Sequence, residues 1–92
     1  MIRSFGDRKT EALFHDARVH GFQGIARSAK RKLEAINAAK GLEDLMAPPP
    51  NRLEKLKGNL RNFYSIRIND RWRVIFKWVD GAPCEVRIVD YH

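Results

Sequence analysis

The chain has 92 residues, of which 43% are hydrophobic and 32% are charged. This composition excludes an intrinsically disordered chain, and the length predicts a single domain over residues 1–92 with a small core. No apolar run approaches the roughly 20 residues that span a bilayer, and the opening residues are too polar for a signal peptide. A single cysteine, Cys84, excludes an internal disulfide or a cysteine zinc cluster. We therefore expect a cytoplasmic protein without membrane association.

The net charge is strongly positive. The chain carries 18 Lys and Arg residues against 11 Asp and Glu, which gives +7 at pH 7. A small domain with this charge attracts polyanions, and nucleic acid is the commonest such partner. Anionic membranes and acidic proteins respond to the same electrostatic field.

Two short elements are predicted in the first 20 residues. The alternation in residues 1–5, "MIRSF", predicts a short first strand. Asp7 or Thr10 then supplies the N-cap of a helix over residues 10–20, and Gly21 follows its end.

The clearest helix lies in residues 24–40. Its apolar residues recur at helical spacing and define one buried face, and Gly41 is positioned as a stop. Three consecutive prolines at 48–50 then forbid regular structure. The predicted buried face consists of Ile25, Ala29, Leu33 and Ile36.

β-branched and aromatic residues dominate the second half of the chain. Turn residues divide it into four strands, and the pairs Asn69-Asp70 and Asp80-Gly81 are suited to tight turns, which predicts an antiparallel meander. The predicted fold is therefore α+β: an N-terminal strand, two helices, and a strand meander forming one sheet with the helices packed on one face. The four strands are predicted at 52–58, 63–69, 71–79 and 84–91.

The alternation within these strands separates an apolar face from a basic face. Strand alternation places Trp72 and Trp78 on the same face as apolar residues, so they are predicted to belong to the core rather than to stack on bases. Four cations on two paired strands predict a continuous basic surface on the other face, with Tyr91 nearby on the next strand. The alternative is that these cations only increase solubility. They are Arg67, Arg71, Arg73 and Lys77.

The last three residues, Asp90, Tyr91 and His92, are either a frayed tail or a working site. Cleavage of RNA by side chains requires a base for the 2′-OH, an acid for the departing 5′ oxygen and cations for the phosphate charge. His92 is the natural proton carrier at neutral pH, and Asp90 is a candidate to orient or support it, although a spacing of two residues does not by itself place the two side chains together. Tyr91 offers a ring for stacking a base and a hydroxyl for a phosphate.

The combination of "LKG" at 56–58, "SIRINDRWR" at 65–73 and "DYH" at 90–92 resembles the HigB toxin family of the RelE/ParE superfamily. The resemblance implies a RelE-like fold and a ribosome-dependent endoribonuclease that cuts mRNA in the A site and inhibits translation. It implies no metal and no nucleotide cofactor. It also implies a HigA-type helix-turn-helix antitoxin that neutralises the toxin and represses the operon, so that operator DNA is contacted only through the antitoxin.

The resemblance implies a set of site residues. Lys57 and Arg73 match the positions of phosphate-binding cations, and we expect both side chains to be exposed. Which of His92 and Tyr91 acts as the base is left open. The predicted catalytic residues are Asp90, Tyr91, His92, Lys57 and Arg73, and the predicted RNA-binding residues are Arg67, Arg71 and Lys77.

Two other functions remain compatible with the sequence. ParE members share the fold and inhibit DNA gyrase through protein contact, and a basic RNA-binding module without catalysis would carry the same charge. The "DYH" sequence favours the nuclease over both.

Overall fold

The computed structural model describes residues 1–91, in which two helices pack on one face of a four-stranded antiparallel sheet of order β1-β2-β3-β4. The predicted α+β fold is confirmed. No helix in this part of the chain is both long enough and apolar enough to cross a membrane. The elements are α1 (Arg8–Phe14), α2 (Ala26–Ala38), β1 (Glu54–Lys55), β2 (Tyr64–Arg67), β3 (Trp72–Val79) and β4 (Ala82–Asp90), with 3₁₀ turns at Leu42–Leu45, Pro49–Asn51 and Gly58–Leu60.

The N-terminal segment covers the free edge of β4 without becoming a regular strand. Phe5 forms an isolated parallel bridge with Val86. The Gly6 N–H donates to the Val86 carbonyl at 2.8 Å, and the Val86 N–H donates to the Ser4 carbonyl at 3.1 Å. The predicted first strand is thus reduced to one bridge, because Asp7 follows at once as the N-cap of α1 and turns the chain away from the sheet.

Helix α1 begins where the sequence predicts and ends earlier. The Asp7 side chain accepts a hydrogen bond from the Thr10 N–H at 2.8 Å, which is a regular N-cap. The helix ends at Phe14 instead of continuing to residue 20, because Asp16 adopts a left-handed conformation with φ 68° that cannot continue an α-helix.

The core lies between α2 and the sheet. The predicted apolar face of α2 is confirmed, since Ala29, Leu33 and Ile36 are fully buried. Trp72 and Trp78 are half-buried and pack against this core, as predicted. The Asp80-Gly81 turn joins β3 to β4 with positive φ at both residues, 51° and 78°, as a type I′ turn requires. The sheet contributes the buried side chains of Ile66, Val74, Phe76, Val86 and Ile88.

A buried hydroxyl ties α1 to β4. Thr10 is fully buried, and its Oγ1 accepts a hydrogen bond from the Ile88 N–H at 2.9 Å. Replacing Thr10 by valine keeps the side-chain shape but leaves that N–H without an acceptor. We expect the free energy of unfolding, measured in urea, to fall by about 1–3 kcal/mol.

Serine at the same position provides the matched control. Thr10→Ser keeps the acceptor and removes only a methyl group. The hydrogen bond is unimportant if the valine variant proves as stable as the serine variant.

Candidate functional site

Arg73 lies on the basic face of the sheet, near the start of β3. In the strand register it stands opposite Arg67 of β2 and Val89 of β4. Its Nη1 donates to Ser65 Oγ at 3.0 Å and pairs with the Glu54 carboxylate at 3.0 Å. These contacts leave the Arg73 side chain only 11% exposed, so the expectation of an exposed Arg73 is wrong. Neighbouring strands place a hydroxyl and a carboxylate where they hold the guanidinium against the sheet.

The structure brings Arg73 and Tyr91 together. The Arg73 guanidinium lies over the Tyr91 ring, 4.8 Å from its centroid, which is a cation–π contact. Tyr91 is 42% exposed, so part of its ring faces solvent and is accessible to a stacking base. Its backbone N–H donates to the Arg71 carbonyl at 2.6 Å, which extends the β3–β4 pairing past the end of β4.

Asp90 is held by Arg71. Arg71 Nε donates to both carboxylate oxygens at 3.0 Å, and Nη2 donates to Oδ2 at 2.7 Å. Hydrogen bonding to Asp90, and then the charge of that carboxylate, raise the pKa of Arg71 above its usual value. The Arg71 guanidinium also lies 5.1 Å from the Trp72 ring centroid. Arg71 therefore departs from the predicted basic face, because β3 begins at Trp72 and strand alternation does not extend into the preceding turn.

Two cations converge on a single aromatic ring at the other end of the basic face. Lys77 Nζ lies 5.2 Å from the centroid of the buried Phe63 ring, and the Arg87 guanidinium lies 5.8 Å from it. Lys77 also pairs with Glu85 at 3.0 Å. Arg87 belongs to this basic face although the sequence analysis did not select it, and its Nε is buried with no hydrogen-bond partner in the described residues.

A β-bulge interrupts β4 just before Arg87. Ile75 pairs with Arg87, whereas Lys77 pairs with Cys84, so the register of β4 shifts by one residue between these pairs. Glu85 adopts φ 52° at this point, which is unusual for a residue other than glycine. Strand alternation counted back from Val89 places Arg87 on the basic face, so the sequence could have identified it. No feature of the sequence marks Glu85 as the position of the bulge.

Lys57 lies apart from the other candidates. It is exposed and follows β1, beyond the Lys55–Tyr64 pair, whereas Arg73 pairs with Arg67 at the opposite end of β2, about 10 Å along the strand from Tyr64. Within residues 1–91, Lys57 has no hydrogen bond or ion pair with another candidate. It lines an open cleft of about 400 Å³ with a cationic rim. The cleft is formed by Lys55, Leu56, Lys57, Gly58, Arg61 and Asn62.

Arg67 interacts with one carboxylate and with one cation of α2. Arg67 is 28% exposed and pairs with the exposed Asp70. The nearby Lys32 of α2 has a pKa lowered from its usual value by burial, and then by the charges of Arg31 and Arg67. The charge of Arg67 therefore acts on Lys32 as well as on the sheet.

His92, predicted as the proton carrier, lies outside the described residues. Within residues 1–91, no cluster of three or more His, Cys, Asp or Glu side chains has the arrangement of a metal site.

Two solved structures that share this fold are of YoeB from Staphylococcus aureus. The chain of a YoeB–YefM complex from Staphylococcus aureus superposes with a TM-score of 0.62 and 24% identity, covering 100% of this chain and 95% of that one. A YoeB dimer from the same organism superposes with a TM-score of 0.60 and 22% identity over 99% and 94% of the two chains. These likenesses define the fold.

Sequence comparison defines the family. Residues 3–92 match the family model described as "RelE-like toxin of type II toxin-antitoxin system HigB", and the chain belongs to this HigB-like toxin family. It is 42% identical over 84 residues to Toxin HigB-1 of Vibrio cholerae serotype O1, covering 89% of this chain and 88% of that protein. It is 30% identical to Endoribonuclease HigB of Proteus vulgaris over the full length of both chains. The predicted family is confirmed, and the protein is a RelE-like toxin of a type II system.

Proposed function

We propose that this toxin is a ribosome-dependent endoribonuclease that cleaves mRNA in the ribosomal A site and thereby inhibits translation. The observation that carries the proposal is the packing of the Arg73 guanidinium on the half-exposed Tyr91 ring, which joins a phosphate-binding cation to a base-stacking surface. The similarity to a protein named Endoribonuclease HigB supports the same activity.

The proposed reaction is a transfer within the RNA backbone. A base removes the proton of a 2′-OH, the 2′ oxygen attacks the adjacent phosphorus, and the bond from phosphorus to the 5′ oxygen breaks. An acid protonates that oxygen, so the products are a 2′,3′-cyclic phosphate and a free 5′-OH. In this proposal side chains supply every proton transfer and the stabilising charge, without a metal ion or other cofactor.

The roles follow from the chemistry of each side chain. Arg73 and Lys57 stabilise the charge on the pentacoordinate phosphate, which requires these two separated side chains to converge on it when RNA binds. His92 and Tyr91 share the acid and base work. Asp90 supports the His92 side chain electrostatically.

The RNA backbone flanking the cleaved bond requires cations as well. We assign this role to Arg67 and Lys77, which remain partly exposed on the basic face at 28% and 30%. Arg71 is not included, because its side chain leaves the basic face, where it forms three hydrogen bonds to Asp90 and lies over the Trp72 ring.

The proposed partner is a HigA-type helix-turn-helix antitoxin that neutralises the toxin in the cytoplasm and represses the operon. Operator DNA is then contacted only through the antitoxin. Membership of a type II toxin–antitoxin family supports an antitoxin partner, and the similar YoeB structure was solved as a complex with YefM.

Cleavage is expected to depend on the ribosome. A small +7 protein offers little surface for aligning a flexible RNA, so the ribosome must supply much of the substrate alignment. We expect purified protein to cut naked mRNA at least about 100-fold more slowly than mRNA on programmed ribosomes. Efficient codon-registered cleavage of free RNA would contradict this dependence.

Mapping RNA 5′ ends after brief expression tests the activity itself. New ends within codons of translated mRNA support the nuclease, whereas their absence rejects it. A supercoiling assay with purified DNA gyrase serves as the control, because inhibition there without RNA cleavage would assign the protein to gyrase inhibitors instead.

A further inference from the structure

Arg71 contacts two consecutive residues of the candidate site in different ways. Its guanidinium makes three hydrogen bonds to the Asp90 carboxylate, and its backbone carbonyl accepts the Tyr91 N–H. One residue in the turn before β3 thus fastens both the side chain of residue 90 and the main chain of residue 91.

Arg71 has contacts at both its backbone and its guanidinium, although its side chain is 64% exposed. The Asn69 side-chain oxygen accepts hydrogen bonds from the Arg71 N–H at 2.9 Å and from the Trp72 N–H at 2.8 Å, which fixes the turn. The Arg71 guanidinium lies over the Trp72 ring, and that ring contacts buried Phe22 edge-on at 5.7 Å. The contact with Asp90 is therefore connected to the hydrophobic core through an aromatic pair.

We propose that Arg71 is a positioning residue that fixes Asp90 and Tyr91 in the geometry of the cleavage site, rather than a contact for the RNA backbone. The proposal rests on the proposed nuclease function. A strand end without such anchors frays, and a misplacement of about 1 Å in a catalytic group costs about 100-fold in rate. The planar guanidinium supplies parallel donors that the point charge of a lysine does not.

The test separates positioning from RNA binding by single-turnover kinetics. The cleavage rate is measured against the concentration of programmed ribosomes for wild type, Arg71→Ala and Arg71→Lys. We expect Arg71→Ala to lower the maximal rate by about 10-fold to 100-fold, while the half-saturating concentration stays within about 2-fold. Arg71→Lys, which keeps the charge and loses the fork, is expected to fall between alanine and wild type.

Two variants serve as references. Arg67→Ala removes a proposed RNA contact and is expected to raise the half-saturating concentration and to reduce the salt dependence. Lys9→Ala removes an exposed α1 cation from outside the site and is expected to change neither quantity. The proposal is overturned if Arg71→Ala behaves like Arg67→Ala or like Lys9→Ala.

Hydrogen exchange tests the anchor without any assay of cleavage. Alanine keeps the carbonyl that accepts the Tyr91 N–H, so Arg71→Ala acts on this amide only by releasing Asp90. We expect the Tyr91 amide to lose at least about 10-fold in protection as the strand end frays, whereas the Ile88 amide on Thr10 keeps its protection. Unchanged protection at Tyr91 rejects the proposal even if cleavage falls. If wild type does not cleave on ribosomes, the proposed function fails while this measurement still decides whether Arg71 anchors the segment.

A double-variant cycle completes the argument. Because Arg71 acts through Asp90, the variant carrying both Arg71→Ala and Asp90→Ala is expected to cleave no more slowly than Asp90→Ala alone. Independent, additive losses would show that Arg71 acts elsewhere and would overturn the proposal.

Discussion

Replacing His92 by alanine is expected to lower the single-turnover cleavage rate on programmed ribosomes by about 100-fold to 10,000-fold, the usual contribution of an acid–base group. The imidazole is the side chain whose ordinary pKa suits proton transfer at neutral pH, so its loss is expected to be costly. His92→Gln is the matched variant, because it keeps hydrogen-bonding capacity without the ability to carry a proton. Equal activity of the alanine variant and wild type would remove His92 from the mechanism.

Two substitutions of Tyr91 separate the role of its hydroxyl from the role of its ring. If the hydroxyl transfers a proton or contacts the phosphate, Tyr91→Phe lowers the rate as His92→Ala does. If the ring only stacks a base, the phenylalanine variant stays active and Tyr91→Ala is the one that fails. Melting temperatures recorded for each variant identify any loss that comes from unfolding.

Arg73→Ala is expected to affect both activity and stability. Removing a cation from a developing oxyanion lowers cleavage by about 10-fold to 1000-fold. The same substitution leaves Glu54 and the buried Ser65 hydroxyl without their partner, so we expect the free energy of unfolding to fall by about 1–3 kcal/mol. Urea denaturation and single-turnover cleavage measure the two effects separately.

Lys57→Ala is the natural comparison for Arg73→Ala. Lys57 is exposed, so its loss is expected to lower cleavage over the same range of about 10-fold to 1000-fold with no change in stability. Wild-type cleavage by Lys57→Ala would make that lysine an ordinary surface cation. A stable Arg73→Ala would show that the contacts with Glu54 and Ser65 contribute little.

The regular parts of the fold follow directly from the sequence pattern. The helical spacing of Ala29, Leu33 and Ile36 predicted the buried face of α2, because a period of 3.6 residues leaves one interpretation for so long a segment. The Asp80-Gly81 pair predicted the last hairpin, since few residue pairs accept two positive φ angles in succession. Local chemistry decides both features.

The parts that the sequence did not predict depend on contacts between distant residues. Arg73 is buried because β1 and β2 bring Glu54 and Ser65 beside it, and strand alternation alone carries no information about that pairing. The position of Arg71 depends on where β3 begins and on how β3 pairs with Asp90. For the candidate site, the sequence pattern thus predicted which chemical groups are present. The register of the sheet decided which of these groups are in contact.

The attachment of β4 to residues near the start of the chain has a consequence for how the toxin is made. The Glu85 N–H bonds to Ser4 Oγ across 81 residues, and the Ile88 N–H bonds to Thr10 across 78. Contacts that close such long loops form late and slow the folding of a domain. During synthesis α1 and the N-terminal segment must wait for β4 to leave the ribosome before they find their partners. A nascent chain is therefore expected to lack the finished fold, and any activity that depends on it, until β4 has been released.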